Sequence, residues 1–511
     1  MVEREWREAS DLRTSRIALG VVMLSAVVLR LWAIRHGIPY ALQVDEPEIV
    51  ERAFNMMRSG SLHPHFFDYP GLSLYLQLIV SVARFVAGAI SGEWYSLGQA
   101  SAASFYLWGR IVIALIGAAT VLVVYQIGMR WGARHALLGA GLMAVLPLHV
   151  RYSHFVLTDT PLTFFVALTF LLSLIAHERG TLSAFAVAGA ASGLAAATKY
   201  NGGIALLMPV IACWMTYPLA PGRLKTVLAT IAASAGAFLL LAPYTILDLP
   251  AFLDSFARLA HQYRSAAIGE SLWTLYFKYL VRHAFGWPAM LLAFGGMGLG
   301  FVRLIRGPGR VRWMLAVVFP VVYYMMLTTQ KIVFARYLLP LTPSVCLLAA
   351  IGVVSGVSLL RRYEIPRAPR TALIAGLTIA ALLPPALMSV GSDREMARSS
   401  TVDQAYTWIL QNIPAGASIV LERRSMLLPI QYRAAYVPHL RRKTYDEWRQ
   451  DGVEYLVANS ESYGAALSAP QQNVNDYNEY MRIFTQSREL QTIAPSRDVP
   501  GPELRIFKVV P

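Results

Sequence analysis

The sequence predicts a polytopic α-helical membrane protein of about eleven transmembrane helices, with interfacial helices in its first outer loop and a small α/β domain at its C-terminal end. Three observations carry that prediction. The chain of 511 residues is 56% hydrophobic and only 15% charged, whereas a soluble chain is nearer a quarter charged. Its mean hydropathy is +0.47, and apolar runs recur through most of its length, each close to the ~20 residues that a membrane span needs. From residue 392 onward those runs stop, and short helix and strand patterns alternate.

The chain divides accordingly. Residues 1–16 read as a cytoplasmic N-terminus, 17–391 as a transmembrane domain with its first outer loop at 37–104, and 392–511 as an extracytoplasmic α/β domain. The net charge is +15. Acids and bases roughly cancel after residue 391, so the basic excess belongs to the membrane part and its short loops. That distribution fits positive-inside anchoring and argues against nucleic-acid binding. Cys213 and Cys346 are the two cysteines, both within apolar runs, so no structural disulfide is expected. Arg4, Arg7, Arg13 and Arg16 lead into the first apolar run without a small-residue cleavage site, so this helix should be retained.

The candidate spans are Ile17–Arg35, Phe105–Met129, Ala136–Val150, Thr158–Ala176, Leu182–Thr198, Gly202–Tyr217, Thr226–Thr245, Trp287–Leu304, Trp313–Thr328, Leu338–Leu360 and Thr371–Val390. The basic N-terminus and the basic loops at Arg130 and Arg134, Arg179, Arg223 and Lys225, Arg303 to Arg312, and Arg361 to Arg370 all become cytoplasmic if Gly71–Ile90 does not cross. That segment carries Arg84 and reads as an interfacial or re-entrant helix. A crossing there gives a twelve-span alternative. The eleven-span reading puts 37–104, Arg151–Leu157, a long loop Leu247–Gly286 and everything after Gly391 on the outer side. Lys199 and Gln330–Tyr337 join them there.

Charged residues collect on that face. Asp45 and Glu46 adjoin the first span, and an acidic pair beside a bilayer asks for a reason. The bland reading is a helix cap, because Asp45-Glu46-Pro47-Glu48 is a good helix start. Arg151, His154 and Asp159 lie between two spans and can face the same cavity as Asp45, with Arg151 and His154 joining Lys199 and Arg336 as donor phosphate-binding residues, although the bland reading of Asp159 is a helix cap. Lys199 in Lys199-Tyr200-Asn201-Gly202-Gly203 can snorkel, and Arg336, like Lys331, can simply anchor a span end. His63, His65 and Asp68 have a spacing that suits a metal ion or a phosphate, although Asp68-Tyr69-Pro70 also reads as a turn. Residues 405–412 read as a helix, 418–422 and 454–458 as strands, and 468–478 as a polar loop. No glycine-rich phosphate loop or nucleotide fingerprint occurs.

Together, carboxylates and cations on one membrane face suggest a reaction on a lipid-linked anion. A carboxylate would serve as general base and cations would hold a phosphate leaving group. A transporter or flippase of a lipid-linked substrate is the alternative. It should show mid-membrane charges and internal repeats, and neither is visible.

Four stretches resemble a known family. They are Asp45-Glu46 with Phe67-Asp68-Tyr69-Pro70-Gly71, then His149 to Pro161, then Thr198-Lys199-Tyr200-Asn201-Gly202, and then Ala335-Arg336-Tyr337-Leu338-Leu339-Pro340. In that order they resemble the bacterial glycosyltransferase family 39 group of the GT-C superfamily, over about residues 15–390. The group includes protein O-mannosyltransferases and aminoarabinose transferases of lipid A. The resemblance implies an inverting, polyprenyl-phosphate-sugar-dependent hexosyl- or pentosyltransferase in the bacterial plasma (inner) membrane, with its active site extracytoplasmic. It also implies a glycan, lipid or protein acceptor. On that resemblance Asp45 is the base, with Glu46 as its partner. Asp159 positions the acceptor or a divalent metal ion, and Lys199 and Arg336 meet the donor phosphate. The lipid A transferases carry a lysine near the position of Tyr69. This chain has none, and His63, His65 or Arg151 can supply that charge.

Overall fold

The computed structural model describes residues 2–38, 43, 45–217, 222–265, 271–306, 309–330, 332–360, 367–422, 426–429, 431–471 and 474–510. Lys331 lies outside them. The chain forms two compact units. One comprises Met1–Ile34 and Glu48–Asp393, the other Arg35–Pro47 and Arg394–Pro511.

The first unit is helical. Among the described residues, eight helical runs are long and apolar enough to cross a membrane: Gly71–Ile90, Ala102–Gly128, Asp159–Arg179, Arg223–Leu241, Leu272–Arg306, Arg310–Leu327, Ala335–Gly356 and Thr371–Asn412. Leu182–Thr198 and Tyr200–Thr216 are shorter apolar helices. Gly71–Ile90 is an unbroken 20-residue helix. Its Arg84 turns onto Glu93, 2.6 Å away, and over the Trp94 ring at 4.4 Å.

Two sequence expectations are corrected here. Ala136–Val150 reads as one span, but the structure breaks it into helices Ala133–Ala144 and Pro147–Tyr152. Pro147 lacks an N–H and starts the second helix instead of continuing the first. Leu247–Gly286 reads as a long loop, yet it contains helices Leu249–Ser265 and Leu272–Tyr279. The spacing of Phe252, Phe256 and Tyr263 puts three aromatics on one face of the former.

Helices pack through small residues. A Cβ on Gly193 would collide with the Ser234 carbonyl oxygen, so helices Leu182–Thr198 and Arg223–Leu241 meet backbone to backbone. Ser192 Oγ then donates to Ser234 Oγ at 3.0 Å. Close approach of this kind is what holds helices together where lipid removes the hydrophobic drive.

The second unit carries a five-stranded sheet, with β1 (Ser418–Glu422), β2 (Arg433–Val437), β3 (Tyr455–Asn459), β4 (Arg488–Ile493) and β5 (Leu504–Lys508). The order is β2-β1-β3-β5-β4. β1 is parallel to β2 and β3, and β5 is antiparallel to β3 and β4. Alternation along β1 sends Ile419 and Leu421 into a core with Ala405 and Ile409, while Val420 faces Trp448 and Tyr480. Helix Thr401–Asn412 therefore covers one face of the sheet. It starts on a capping box, in which Ser400 Oγ accepts from Asp403 N and the Asp403 carboxylate accepts from Ser400 N. The expected loop at 468–478 is shorter than read, because helix Val474–Gln486 begins inside it and buries Tyr480 and Ile483. Also within this unit, His36 Nδ1 lies 2.8 Å from the Met396 carbonyl oxygen.

Candidate active site

Asp159 is the first residue of helix Asp159–Arg179, a position that favours a negative charge. It is buried. Lys199 follows the last residue of helix Leu182–Thr198, in extended backbone before the tight turn Tyr200–Leu206. A cation suits that helix end. The turn folds straight back on the helix, which needs Gly202: a Cβ there would strike the Ala195 carbonyl oxygen and come within 2.6 Å of Leu162 Cδ1. Arg336 is carried by a second tight turn, Ala335–Leu341.

These elements bring three expected site residues together. Lys199 Nζ is 2.8 Å from Asp159 Oδ1, and Arg336 Nε is 3.6 Å from Asp159 Oδ2. All three side chains are at most 12% exposed. Taking such charges out of water is costly unless they are paired, as these are. Aromatic faces complete the surroundings. Lys199 Nζ lies 4.3 Å from the Tyr337 ring centre, and the Arg336 guanidinium lies 4.3 Å from that of Phe334. Tyr337 Oη is 2.7 Å from Tyr263 Oη. Asn201 Nδ2 donates to Tyr323 Oη at 2.9 Å.

The first-loop motif reaches the same place. Tyr200 Oη donates to the Phe67 carbonyl oxygen at 2.8 Å, and Phe67 and Tyr200 both pack on Phe252. Burial pushes the Asp68 carboxyl above its ordinary range, against the pull of Arg258 and Arg52. His63 Nε2 is 3.0 Å from Asp248 Oδ2, while His63 Nδ1 accepts from His65 N at 2.8 Å and the two imidazoles stack at 3.9 Å. Among the described residues, no group of three or more His, Cys, Asp or Glu side chains is placed to hold a metal ion.

Other expected residues have different settings. Arg151 Nη1 donates to Ser392 Oγ at 3.3 Å from an exposed position. His154 is buried, 3.8 Å from Asp393. Asp45 immediately precedes helix Glu46–Ser59 and belongs to the second unit. Its backbone N–H donates to Gln43 Oε1 at 2.7 Å, and Gln43 N donates to Glu46 Oε2 at 3.1 Å. Glu46 is buried.

Sequence reasoning did not single out Tyr263, Tyr323 or Phe334. Their only signal was their spacing within apolar helices and turns, which core residues share. Nor did it find the apolar cavity of about 510 Å³ lined by Trp273, Phe277, Met297, Pro320, Leu341 and Val345. Leu341 ends the same turn that carries Arg336, though Arg336 and Lys199 are not among the residues that line the cavity.

Comparison with known proteins bears on this arrangement. The family described as dolichyl-phosphate-mannose-protein mannosyltransferase matches residues 94–247, a stretch that includes Asp159 and Lys199. No protein of curated function matches the sequence. Among solved structures, ArnT from Cupriavidus metallidurans bound to undecaprenyl phosphate is similar with a TM-score of 0.57 at 14% identity, over 97% of each chain. The apo oligosaccharyltransferase of Archaeoglobus fulgidus is similar with a TM-score of 0.57 at 12% identity, over 96% of this chain and 76% of that one. The same archaeal enzyme tethered to an acceptor peptide gives 0.58 at 13% identity. This chain therefore shares its fold with ArnT and with the archaeal oligosaccharyltransferase.

Proposed function

We propose that this chain is a membrane glycosyltransferase of the inverting kind. It moves a sugar from a polyprenyl-phosphate donor to an acceptor hydroxyl at the extracytoplasmic face of a bacterial plasma membrane. The observation that carries this reading is the convergence of Lys199 and Arg336 on buried Asp159, and the apolar cavity that Leu341 of the Arg336 turn helps to line supports it. A donor of this class has an anionic head and an isoprenoid tail, and the two features match its two parts. The similar fold of ArnT, whose structure holds undecaprenyl phosphate, supports the same donor class.

The chemistry follows from charge. A polyprenyl-phosphate sugar is a phosphodiester. The acceptor O–H gives its proton to the Asp45 carboxylate, and the acceptor oxygen bonds to the anomeric carbon from the face opposite the phosphate. The bond from that carbon to the phosphate oxygen breaks, and its electron pair leaves with polyprenyl phosphate. The leaving group gains a negative charge, which Lys199 and Arg336 are suited to meet. Asp159 orients both cations, and Glu46 supports Asp45. Arg151 and His154 steady the loop that leads to Asp159. His63, His65 and Asp68 hold the first outer loop beside Tyr200.

The test is transfer of a radiolabelled sugar from polyprenyl phosphate by membranes containing the Asp45→Asn chain. Loss of transfer with donor binding retained supports Asp45 as the base. Transfer at the wild-type rate removes it from that role.

A further inference from the structure

The segment 145–158 delivers Asp159 to the site, and polar side chains of two other helices hold it. From helix Val2–Leu31, fully buried Arg30 reaches across. Its Nη1 donates to the Ala26 and Ala144 carbonyl oxygens, each at 3.0 Å. Its Nη2 donates to the Met143 carbonyl oxygen at 3.0 Å and to His149 Nδ1 at 2.9 Å. From helix Arg367–Met396 come Ser389, Ser392 and Asp393. Their i, i+3, i+4 spacing puts them on one face. Ser389 Oγ donates to the Val145 carbonyl oxygen at 2.7 Å, Ser392 Oγ accepts from Arg151, and Asp393 Oδ1 lies 3.8 Å from His154 Nε2.

His154 and Asp393 are both fully buried. His154 Nδ1 is 2.9 Å from the Val150 carbonyl oxygen, and Nε2 is 2.5 Å from that of Trp32. Both ring nitrogens face carbonyl oxygens, and Asp393 Oδ1 is the side-chain oxygen beside Nε2. Neither Asp393 oxygen accepts a hydrogen bond from the described residues. A carboxylate buried in that way is costly to keep, and a span end needs none for anchoring. The loop from His154 to Asp159 is short, and Thr160 Oγ1 closes it by donating to the Tyr152 carbonyl oxygen at 3.0 Å. His154 lies five residues before Asp159 in the chain, so the seat of its ring sets where the loop that carries Asp159 begins.

We infer that Asp393 is a positioning residue that acts through His154 to keep Asp159 facing Lys199 and Arg336. This rests on the donor-phosphate role proposed above for those two cations. Among the described residues, Arg30, Arg110, His149 and Arg151 are charged or titratable groups around His154 and Asp393.

The test uses the full-length chain in detergent micelles and reads two quantities. The first is the rate at which an acylating reagent labels Lys199, followed by mass spectrometry. The second is affinity for a sugar-free polyprenyl phosphate. In Asp393→Asn, labelling of Lys199 should rise about fivefold as its pairing opens locally, and affinity should fall about tenfold. Asp393→Glu should restore both. Asp159→Asn and the Asp159→Asn/Asp393→Asn double variant should bind alike, because effects that run through one residue do not add. Unchanged Lys199 labelling in Asp393→Asn overturns the inference whether or not the chain binds polyprenyl phosphate. Wild-type chain that fails to bind the lipid while Lys199 labelling still responds to Asp393 counts against the donor reading alone. If Asp393→Asn does not fold, His154→Gln takes its place. Labelling at the wild-type rate in that variant overturns the inference equally.

Discussion

Lys199 Nζ stands 2.8 Å from Asp159 Oδ1 and 4.3 Å from the centre of the Tyr337 ring, so one buried ammonium is shared between a carboxylate and an aromatic face. Arg336 approaches the other oxygen of the same carboxylate at 3.6 Å. Removing the carboxylate leaves two buried cations facing each other. Asp159→Ala should cost about 3–5 kcal/mol of stability. Thermal unfolding in detergent reads it, and a loss below about 1 kcal/mol would mean that the cluster is wetter than its burial indicates. Adding Lys199→Met to Asp159→Ala should recover part of the loss.

The apolar cavity should set chain-length preference. Val345→Trp or Met297→Trp places an indole in a space of about 510 Å³. The KM for a long-chain polyprenyl donor should rise about tenfold, the equivalent of ~1.4 kcal/mol. The rate with a short, water-soluble isoprenyl donor should stay as it is. Equal effects on both donors would place the tail elsewhere.

Gly202 should tolerate no side chain. The neighbour that a Cβ would strike is the Ala195 carbonyl oxygen, which is backbone and cannot rotate away. Gly202→Ala should lower both the melting temperature and sugar transfer, and a compensating Leu162→Ala should not restore them. Rescue by Leu162→Ala would assign the conflict to the Leu162 side chain instead.

The C-terminal domain should carry a pH signature at Glu422. This carboxylate ends β1 in full burial and accepts hydrogen bonds from Leu440 N and Asn459 N, each at 2.9 Å, and from Tyr480 Oη. Burial nevertheless raises its pKa above the ordinary 4.5, against those hydrogen bonds. An acid with a raised folded pKa stabilises fully below its unfolded pKa and loses that stabilisation as pH climbs through the folded one. The protection that wild type holds over Glu422→Gln, read by hydrogen–deuterium exchange at β1 and β3 of the full chain, should shrink as pH rises from about 4.5 toward neutrality. A constant difference would show that Glu422 titrates normally.

Much of this was legible in the sequence where a pattern is local. Helix Leu182–Thr198 and strand Ser418–Glu422 have the bounds that their periodicity predicts. Asp159, Lys199 and Arg336 stood out because each interrupts or ends an apolar run. That the three meet was not legible, since their contacts span 40 residues or more of chain. Nor were the buried groups around Arg30 and Asp393. An arginine inside a first span and an acid at the end of a last one look like anchors. Only the Ser389, Ser392, Asp393 spacing hints that one polar face turns inward. Helix Leu249–Ser265 was missed because its aromatic stripe is amphipathic and interrupted by charge, which reads as loop in a chain of strongly apolar spans.

Transfer from polyprenyl phosphate by proteoliposomes containing the wild-type chain or its Lys199→Met variant tests the central claim most directly. The account predicts that wild type passes radiolabelled sugar to an acceptor hydroxyl, and that Lys199→Met loses about a hundredfold in rate, as expected for loss of charge stabilisation at the leaving phosphate. Movement of the sugar-lipid across the bilayer without transfer, or transfer that is indifferent to Lys199, would contradict it.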